Sequence, residues 1–139
     1  MSDTPQPHIT RTVDLDATVD EVWTALTDDR ERAAWFGGAG RIDIRPGGTG
    51  KVVEPDGSVH RVRVGTVEPG RRLGWRWSPV GGGAEADVEF VVEELPRGAR
   101  LTVTERRVAP AAGPQASAAP SVTGRLLDLE LLFLARSRV

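Results

Sequence analysis

The spacing of apolar residues changes along this chain, and each change predicts a different kind of element. Across Ile9–Asp14, apolar and polar residues alternate, which predicts a first β-strand. Across Thr18–Phe36 the spacing is helical, and Thr18 and Asp28 each stand three residues before a glutamate, as helix N-terminal caps do. We therefore predict two short consecutive helices, the second of which ends at Gly37.

Between Arg41 and Arg107 the period is two, and five turn sequences rich in Gly and Pro interrupt it. Six short antiparallel strands fit between these turns, so we expect a sheet of about seven strands once the first strand is included. Every second residue along these strands points to the same face of the sheet. One such set, the first parity, is apolar and predicts an inner face, while the other set alternates in charge from strand to strand and predicts cross-strand ion pairs. The inner positions are Leu73, Trp75, Trp77, Val88, Phe90, Val92, Leu101 and Val103.

The last part of the chain divides into an Ala/Pro-rich stretch and an apolar stretch. Residues 109–120 have low complexity, which predicts a mobile connecting loop. Residues 121–138 carry apolar side chains around more than half of the helical wheel, which predicts a final helix about 25 Å long. A stripe that wide leaves open whether part of it, such as Leu132, packs on another chain in a homodimer.

Composition indicates a globular protein and argues against several classes of function. The 139 residues, 39% hydrophobic and 27% charged, suit one domain over residues 9–139 after a flexible tail of residues 1–8. A net charge of −2 argues against nucleic acid as a partner. The absence of cysteine and of signal-peptide features favours the cytoplasm, and the longest apolar run is too short to cross a membrane.

The predicted order of strand, two helices, further strands and a closing helix describes a known architecture. The stretches that carry the likeness are "VDLDATVDEVWTALTDDRERAAWF", "DIRPGG", "GTVEPGRRLGWRW" and "VEFVVEELPRGARLTVTE". Over residues 9–107 they resemble the SRPBCC (START-like, helix-grip) superfamily, closest to the branch named after the activator of Hsp90 ATPase. The resemblance implies an α+β helix-grip fold with a cavity between a curved sheet and the last helix. It also implies that Trp23 anchors the first helix and that Trp35 and Phe36 close one end of the cavity.

Two polar residues share the parity of the inner face and are the candidate acid–base groups. Glu105 lies near the end of its strand, and His60 lies beside a turn. A carboxyl group on an apolar wall can act as an acid or orient a ligand hydroxyl, whereas the alternative for both residues is a solvated rim. His8 and His60 have no partner at metal-ligand spacing, and Arg45–Lys51 fails as a phosphate loop, so we expect no metal and no cofactor.

Three hypotheses of function follow from the resemblance. The first is a protein that binds a small hydrophobic or aromatic molecule, with Trp75 and Trp77 in a pocket wall and not in a solid core. The residues assigned to this binding site are Trp35, Phe36, Val62, Val64, Trp75, Trp77, Val88, Phe90, Val103, Glu105, Leu127, Leu131 and Leu134. The second is an enzyme similar to polyketide cyclases and dehydratases, with Glu105 and His60 as the reacting groups, and the sequence leaves open whether any reaction is catalysed. The third is a module that assists an Hsp90-type chaperone. We do not expect this partner, because the chain has no room for the activator's further chaperone-binding domain.

Overall fold

The computed structural model describes residues 8–108, 122 and 125–136, which form a six-stranded antiparallel sheet and three helices. The strands are β1 (His8–Leu15), β2 (Thr49–Val53), β3 (Val59–Glu68), β4 (Arg72–Pro79), β5 (Ala86–Glu94) and β6 (Ala99–Arg107). The helices are α1 (Val19–Thr27), α2 (Asp29–Phe36) and α3 (Leu126–Arg136). The strands lie in the order β1-β6-β5-β4-β3-β2, with α3 in contact with α2 and β1. This arrangement confirms the predicted α+β helix-grip fold.

Several predicted segments lie wholly or partly outside the described residues. The predicted loop of residues 109–120 is outside them, as are residues 1–7 of the predicted tail. Within the predicted last helix, the structure describes α3 and two residues before it, Val122 and Arg125.

The two short helices begin where their capping residues predict. Thr18 accepts the backbone N–H of Glu21 at 3.1 Å, and the Glu21 carboxylate accepts the Thr18 N–H at 2.8 Å, so α1 has a complete capping box. Asp28 caps α2 by accepting the backbone N–H groups of Arg30 and Glu31. At the other end, Gly37 has φ of 90°, a left-handed conformation that glycine adopts without strain.

The prediction of about seven strands is wrong by one. The segment before β2 makes only two isolated bridges, Ala39 with Val53 and Ile42 with Gly50. Glycines at positions 37, 38, 40, 47 and 48 and Pro46 leave too little regular backbone for a ladder of strand hydrogen bonds. The segment therefore returns along β2 without forming a strand of its own.

The inner and outer faces of the sheet follow the predicted parity. All eight predicted inner positions, from Leu73 to Val103, are buried. On the outer face, Arg76 donates to Asp87 and Arg100 donates to Asp14, both at 2.8 Å, across neighbouring strands. Such exposed pairs each stabilise the sheet by about 0–1 kcal/mol.

The orientation of α3 corrects the prediction for its apolar face. The side chains that pack on the sheet and on α2 are Leu126, Leu129 and Phe133, which are at most 1% exposed. The three leucines that the sequence analysis assigned to the inner face, Leu127, Leu131 and Leu134, are 48–54% exposed and lie on the outer side. Because α3 is apolar nearly all round, its own pattern did not fix which side turns inward. None of the described helices is both long and apolar enough to span a membrane.

Candidate functional site

Three buried charged or titratable side chains converge where α3 begins. Arg125 donates through Nη1 to Glu54 Oε1 at 3.0 Å and through Nη2 to Glu54 Oε2 at 2.6 Å. His60 Nδ1 lies 3.3 Å from Glu54 Oε2. The exposed fractions of Arg125, Glu54 and His60 are only 7%, 9% and 4%. We call Glu54, His60 and Arg125 the buried polar cluster.

Four separate segments position this cluster. Glu54 directly follows β2, His60 lies near the start of β3, and Arg125 immediately precedes α3. Arg125 Nη1 also donates at 2.6 Å to the backbone carbonyl of Phe36, the last residue of α2. At Gly38, an added Cβ would lie 2.9 Å from Glu54 Oε1, so only glycine lets the backbone pass the carboxylate this closely. The cluster thus links the end of α2 and the start of α3 to the sheet.

Aromatic rings surround the buried polar cluster. The Trp77 ring stacks on the His60 imidazole with centroids 4.2 Å apart, and it meets the Phe36 ring edge-on at 5.5 Å. Trp75 lies beside Trp77 at 6.4 Å. The guanidinium carbon of Arg125 lies 4.4 Å from the Phe36 ring centroid, within cation–π distance. The site therefore combines flat apolar walls with a few polar atoms, which is the usual make-up of a small-molecule site.

Trp75 Nε1 and His60 Nδ1 are buried polar atoms of this region without a hydrogen-bond partner among the described residues. Trp75 Nε1 is fully buried without an acceptor, and Trp75 is 3% exposed overall. His60 Nδ1 is close to Glu54 but is not aligned for a hydrogen bond, so it too is unsatisfied. By contrast, the Trp35 indole donates to the Ala25 carbonyl at 2.8 Å. A buried donor without a partner costs about 1–3 kcal/mol, so the Trp75 indole is a ready donor for a ligand acceptor.

The surroundings of His60 favour the neutral form of its imidazole. Burial lowers the pKa of His60 below its usual value, because the charged form loses its hydration. Glu54 and Asp56 favour the charged form, whereas Arg125 disfavours it. The net lowering indicates that burial and Arg125 together outweigh the two carboxylates.

Glu105, the other predicted acid–base residue, lies far from His60. Glu105 is half-buried. Along the strand register it pairs with Val88, which pairs with Trp75, which in turn pairs with Val64 on β3. His60 lies four residues from Val64 along β3, about 13 Å, and three strand spacings, about 14 Å, separate β3 from β6. The two residues therefore cannot act on one reacting atom.

The remaining predicted binding residues fall into two groups. The aromatic residues Trp35, Phe36, Trp75, Trp77 and Phe90 form one chain of ring contacts with centroid distances of 5.0–6.4 Å. The valines at positions 62, 64, 88 and 103 are buried on the same sheet face. Phe90 and Val103 are 0% exposed, so they touch no space large enough for water and belong to the packed core.

Sequence reasoning missed Glu54 and Arg125. Glu54 shares the parity of the buried Val52, which signals an inward-facing carboxylate, but it stands next to a turn. Arg125 is a charged residue at the edge of an apolar helix, a position that usually reaches solvent. Within the described part of the chain, no three His, Cys, Asp or Glu side chains are grouped to hold a metal ion.

Comparison with known proteins adds a family and several similar structures. Residues 16–126 match the family described as "Activator of Hsp90 ATPase homolog 1-like protein". DynU16, from the dynemicin biosynthetic locus, has a solved structure that is 32% identical with a TM-score of 0.74. The match covers 96% of this chain but only 48% of DynU16, so this chain spans about half the length of that protein.

Two further solved structures resemble the chain. CalU16 from Micromonospora echinospora is 28% identical with a TM-score of 0.61, and the match covers 93% of this chain and 73% of CalU16. Protein MLL2253 from Mesorhizobium loti is 19% identical with a TM-score of 0.81, covers 96% and 100% of the two chains, and supports the fold alone. Among curated proteins, none matches this sequence.

Proposed function

Because the chain belongs to the activator of Hsp90 ATPase homolog 1-like family, within the SRPBCC superfamily it resembles, we propose that it binds a small hydrophobic or aromatic molecule between the sheet and α3. The observation that carries this proposal is the Trp75 indole N–H, a buried donor with no acceptor inside an aromatic wall. The ligand would supply that acceptor, for example a ketone or phenol oxygen. DynU16, which comes from a biosynthetic locus, also supports a role with a small molecule.

The described residues of the proposed site are almost fully buried, with Phe36, Trp75 and Trp77 at 1–5% exposure, so a ligand needs a way in. Arg125 is the contact that fastens the start of α3 to Phe36 and Glu54. Entry would therefore proceed by lifting this end of α3, while the packed core around Phe90 and Val103 stays in place. The energetic cost is the loss of the Arg125 contacts, which a bound ligand would offset through new burial of apolar surface.

Tryptophan fluorescence tests this proposal. A panel of aromatic and lipidic compounds, among them planar phenols and ketones, is expected to contain members that quench the intrinsic emission with saturation. Trp75→Phe keeps an aromatic ring but removes the donor, so it should weaken binding by about threefold to tenfold, the value of one hydrogen bond.

Trp23→Phe is the matched control, because Trp23 lies on α1 and is absent from the described ring contacts among Trp35, Phe36, Trp75, Trp77 and Phe90, which form the aromatic wall. Its binding constants should equal those of the unmodified protein. Native mass spectrometry of freshly purified protein gives an independent readout, since a co-purifying compound would appear as added mass. If no compound quenches and only the bare chain is detected, the binding proposal is wrong.

A second candidate function, a cyclase-like or dehydratase-like enzyme, is favoured by the pairing of His60 with Glu54. A neutral imidazole can accept a proton from a substrate carbon or hydroxyl, and a nearby carboxylate stabilises the imidazolium that forms. In this hypothesis His60 is the base, Glu54 orients and stabilises it, and the aromatic side chains hold the substrate in a folded conformation. No described geometric feature supports chaperone activation, and it is not proposed.

The enzyme hypothesis makes two linked predictions for His60, one for its titration midpoint and one for the pH dependence of activity. An NMR titration should give it a midpoint below about 6.5, the value of an unperturbed histidine. Activity on a poly-β-ketone substrate should then fall as the pH drops through that lowered pKa, and His60→Gln should reduce the rate by about 10²-fold or more.

Glu105→Gln separates the two candidate residues. Activity that survives Glu105→Gln but not His60→Gln assigns the reaction to His60, whereas the reverse pattern assigns it to Glu105. A His60 midpoint above 6.5 would contradict the neutral-base mechanism.

A further inference from the structure

Five of the ten residues that line a groove on the outer face of the sheet, opposite to α3, are cations. The groove runs over β2, β3 and β4 and has a volume of about 710 Å³. The cations that line it are Arg41, Lys51, Arg61, Arg63 and Arg76, and its polar neighbours are Thr49, Ser78 and Glu85. None of these residues belongs to the buried polar cluster, so the groove is independent of the proposed function.

The strand register brings like charges together in this groove. Lys51 stands directly opposite Arg61, and Arg63 stands directly opposite Arg76. Like charges at directly opposed positions destabilise a sheet. Elsewhere on the same face the register matches opposite charges, as in Asp14 with Arg100. Stability of the sheet therefore does not explain the charge pattern of the groove.

The carboxylate in the groove does not neutralise most of these cations. Glu85 accepts from the Ser78 hydroxyl at 3.1 Å and lies 3.5 Å from Arg76, which also pairs with Asp87. Among the described residues, no ion pair reaches Arg41, Lys51, Arg61 or Arg63. Four positive charges thus share one concave surface without a described ion pair.

The geometry points to a small molecule that carries phosphate groups with at least two negative charges, and we propose that this groove binds one. Guanidinium groups match phosphate oxygens in pairs, and a lysine adds a point charge. Backbone positions on neighbouring strands are about 5 Å apart and those two residues apart on one strand about 7 Å apart, so the side chains of several of these cations can reach one diphosphate. The net charge of −2 makes a long nucleic acid a poor fit.

Isothermal titration calorimetry with inorganic pyrophosphate tests the proposal at about 0.02 M and 0.15 M salt. We expect saturable binding that weakens at the higher salt concentration. Arg61→Gln and Arg63→Gln should each weaken it by about tenfold or more, the effect of losing one charge-assisted hydrogen bond. The melting temperature of the double variant should hold or rise, because a like-charge contact is relieved.

The matched control is the double variant Arg71→Gln with Arg97→Gln, which removes the same charge from exposed turns outside the groove. Its affinity for pyrophosphate should stay within about twofold of the unmodified protein. An equal loss in this control, or no binding of pyrophosphate at low salt, would overturn the proposal.

Titrations with ADP and with phosphatidylglycerol vesicles test two possible sources of the phosphate groups. Binding of ADP that depends on Arg61 supports a nucleotide source, whereas binding of vesicles alone would overturn a small-molecule site.

Discussion

A chain that ends at Pro120 is expected to lose its cooperative thermal unfolding. The truncation removes four apolar side chains that are at most 1% exposed, Val122, Leu126, Leu129 and Phe133. Each contributes roughly 1.5–3 kcal/mol by burial, so together they approach the 5–15 kcal/mol total stability of a typical domain. The sheet side of the core would become exposed at the same time. Near-ultraviolet circular dichroism, calorimetry and binding of a hydrophobic dye should show a molten or aggregated chain.

A matched pair of substitutions refines this test. Leu129→Ala and Leu131→Ala remove the same atoms two positions apart on α3, but Leu129 is fully buried and Leu131 is 54% exposed. We expect losses in the free energy of unfolding of about 2–5 kcal/mol and at most about 0.5 kcal/mol. Deleting a few residues within 109–120, the predicted loop, controls for chain length, and we expect it to be tolerated because the entropy of closing a loop changes slowly with its length. A sharp melt from the truncated chain would show that the helix is dispensable.

Arg125→Ala is expected to reduce the free energy of unfolding by about 3–5 kcal/mol, the usual effect of removing one partner of a buried ion pair. The substitution leaves the Glu54 carboxylate buried without its two guanidinium hydrogen bonds, and it also frees the Phe36 carbonyl. Urea denaturation monitored by fluorescence measures the loss. In a cycle with Glu54→Gln, the double variant should be destabilised by much less than the sum of the single variants.

Arg11→Ala provides the comparison, because Arg11 and Glu130 form an exposed pair at 3.5 Å. Their side chains are 44% and 37% exposed, so we expect a loss of about 0–1 kcal/mol. Equal effects of Arg125→Ala and Arg11→Ala would mean that the buried polar cluster does not fasten α3. The entry route proposed for the ligand would then lose its basis.

The sequence predicted well the features that depend on neighbours along the chain. The capping box of Thr18 and Glu21 spans three residues, and it forms as expected. The parity of the strand positions placed Trp75 and Phe90 on the inner face of the sheet, since successive side chains along a strand must point to opposite faces. His60 shares this parity and is buried, but the sequence left open whether it would lie on a solvated rim and could not say what it would meet.

The candidate site itself was only partly predictable. The aromatic wall followed from strand parity and from the family resemblance, whereas Glu54 and Arg125 did not, because they are 71 residues apart in sequence. Nothing local distinguishes an arginine that reaches solvent from one that closes a buried ion pair. Glu105 and His60 shared a parity, but the order of strands between them separates them in space.

The sequence by itself determined where the helices begin and which strand positions turn inward, because those choices depend on hydrogen bonds and side-chain direction within a few residues. The tertiary structure alone decided the rotation of α3, which turns Leu129 inward and Leu131 outward. It also alone brought Arg125 onto Glu54. The physical reason is that a helix apolar on most sides gains similar burial in several orientations, so the surfaces it packs against and the buried ion pair at its start select among them.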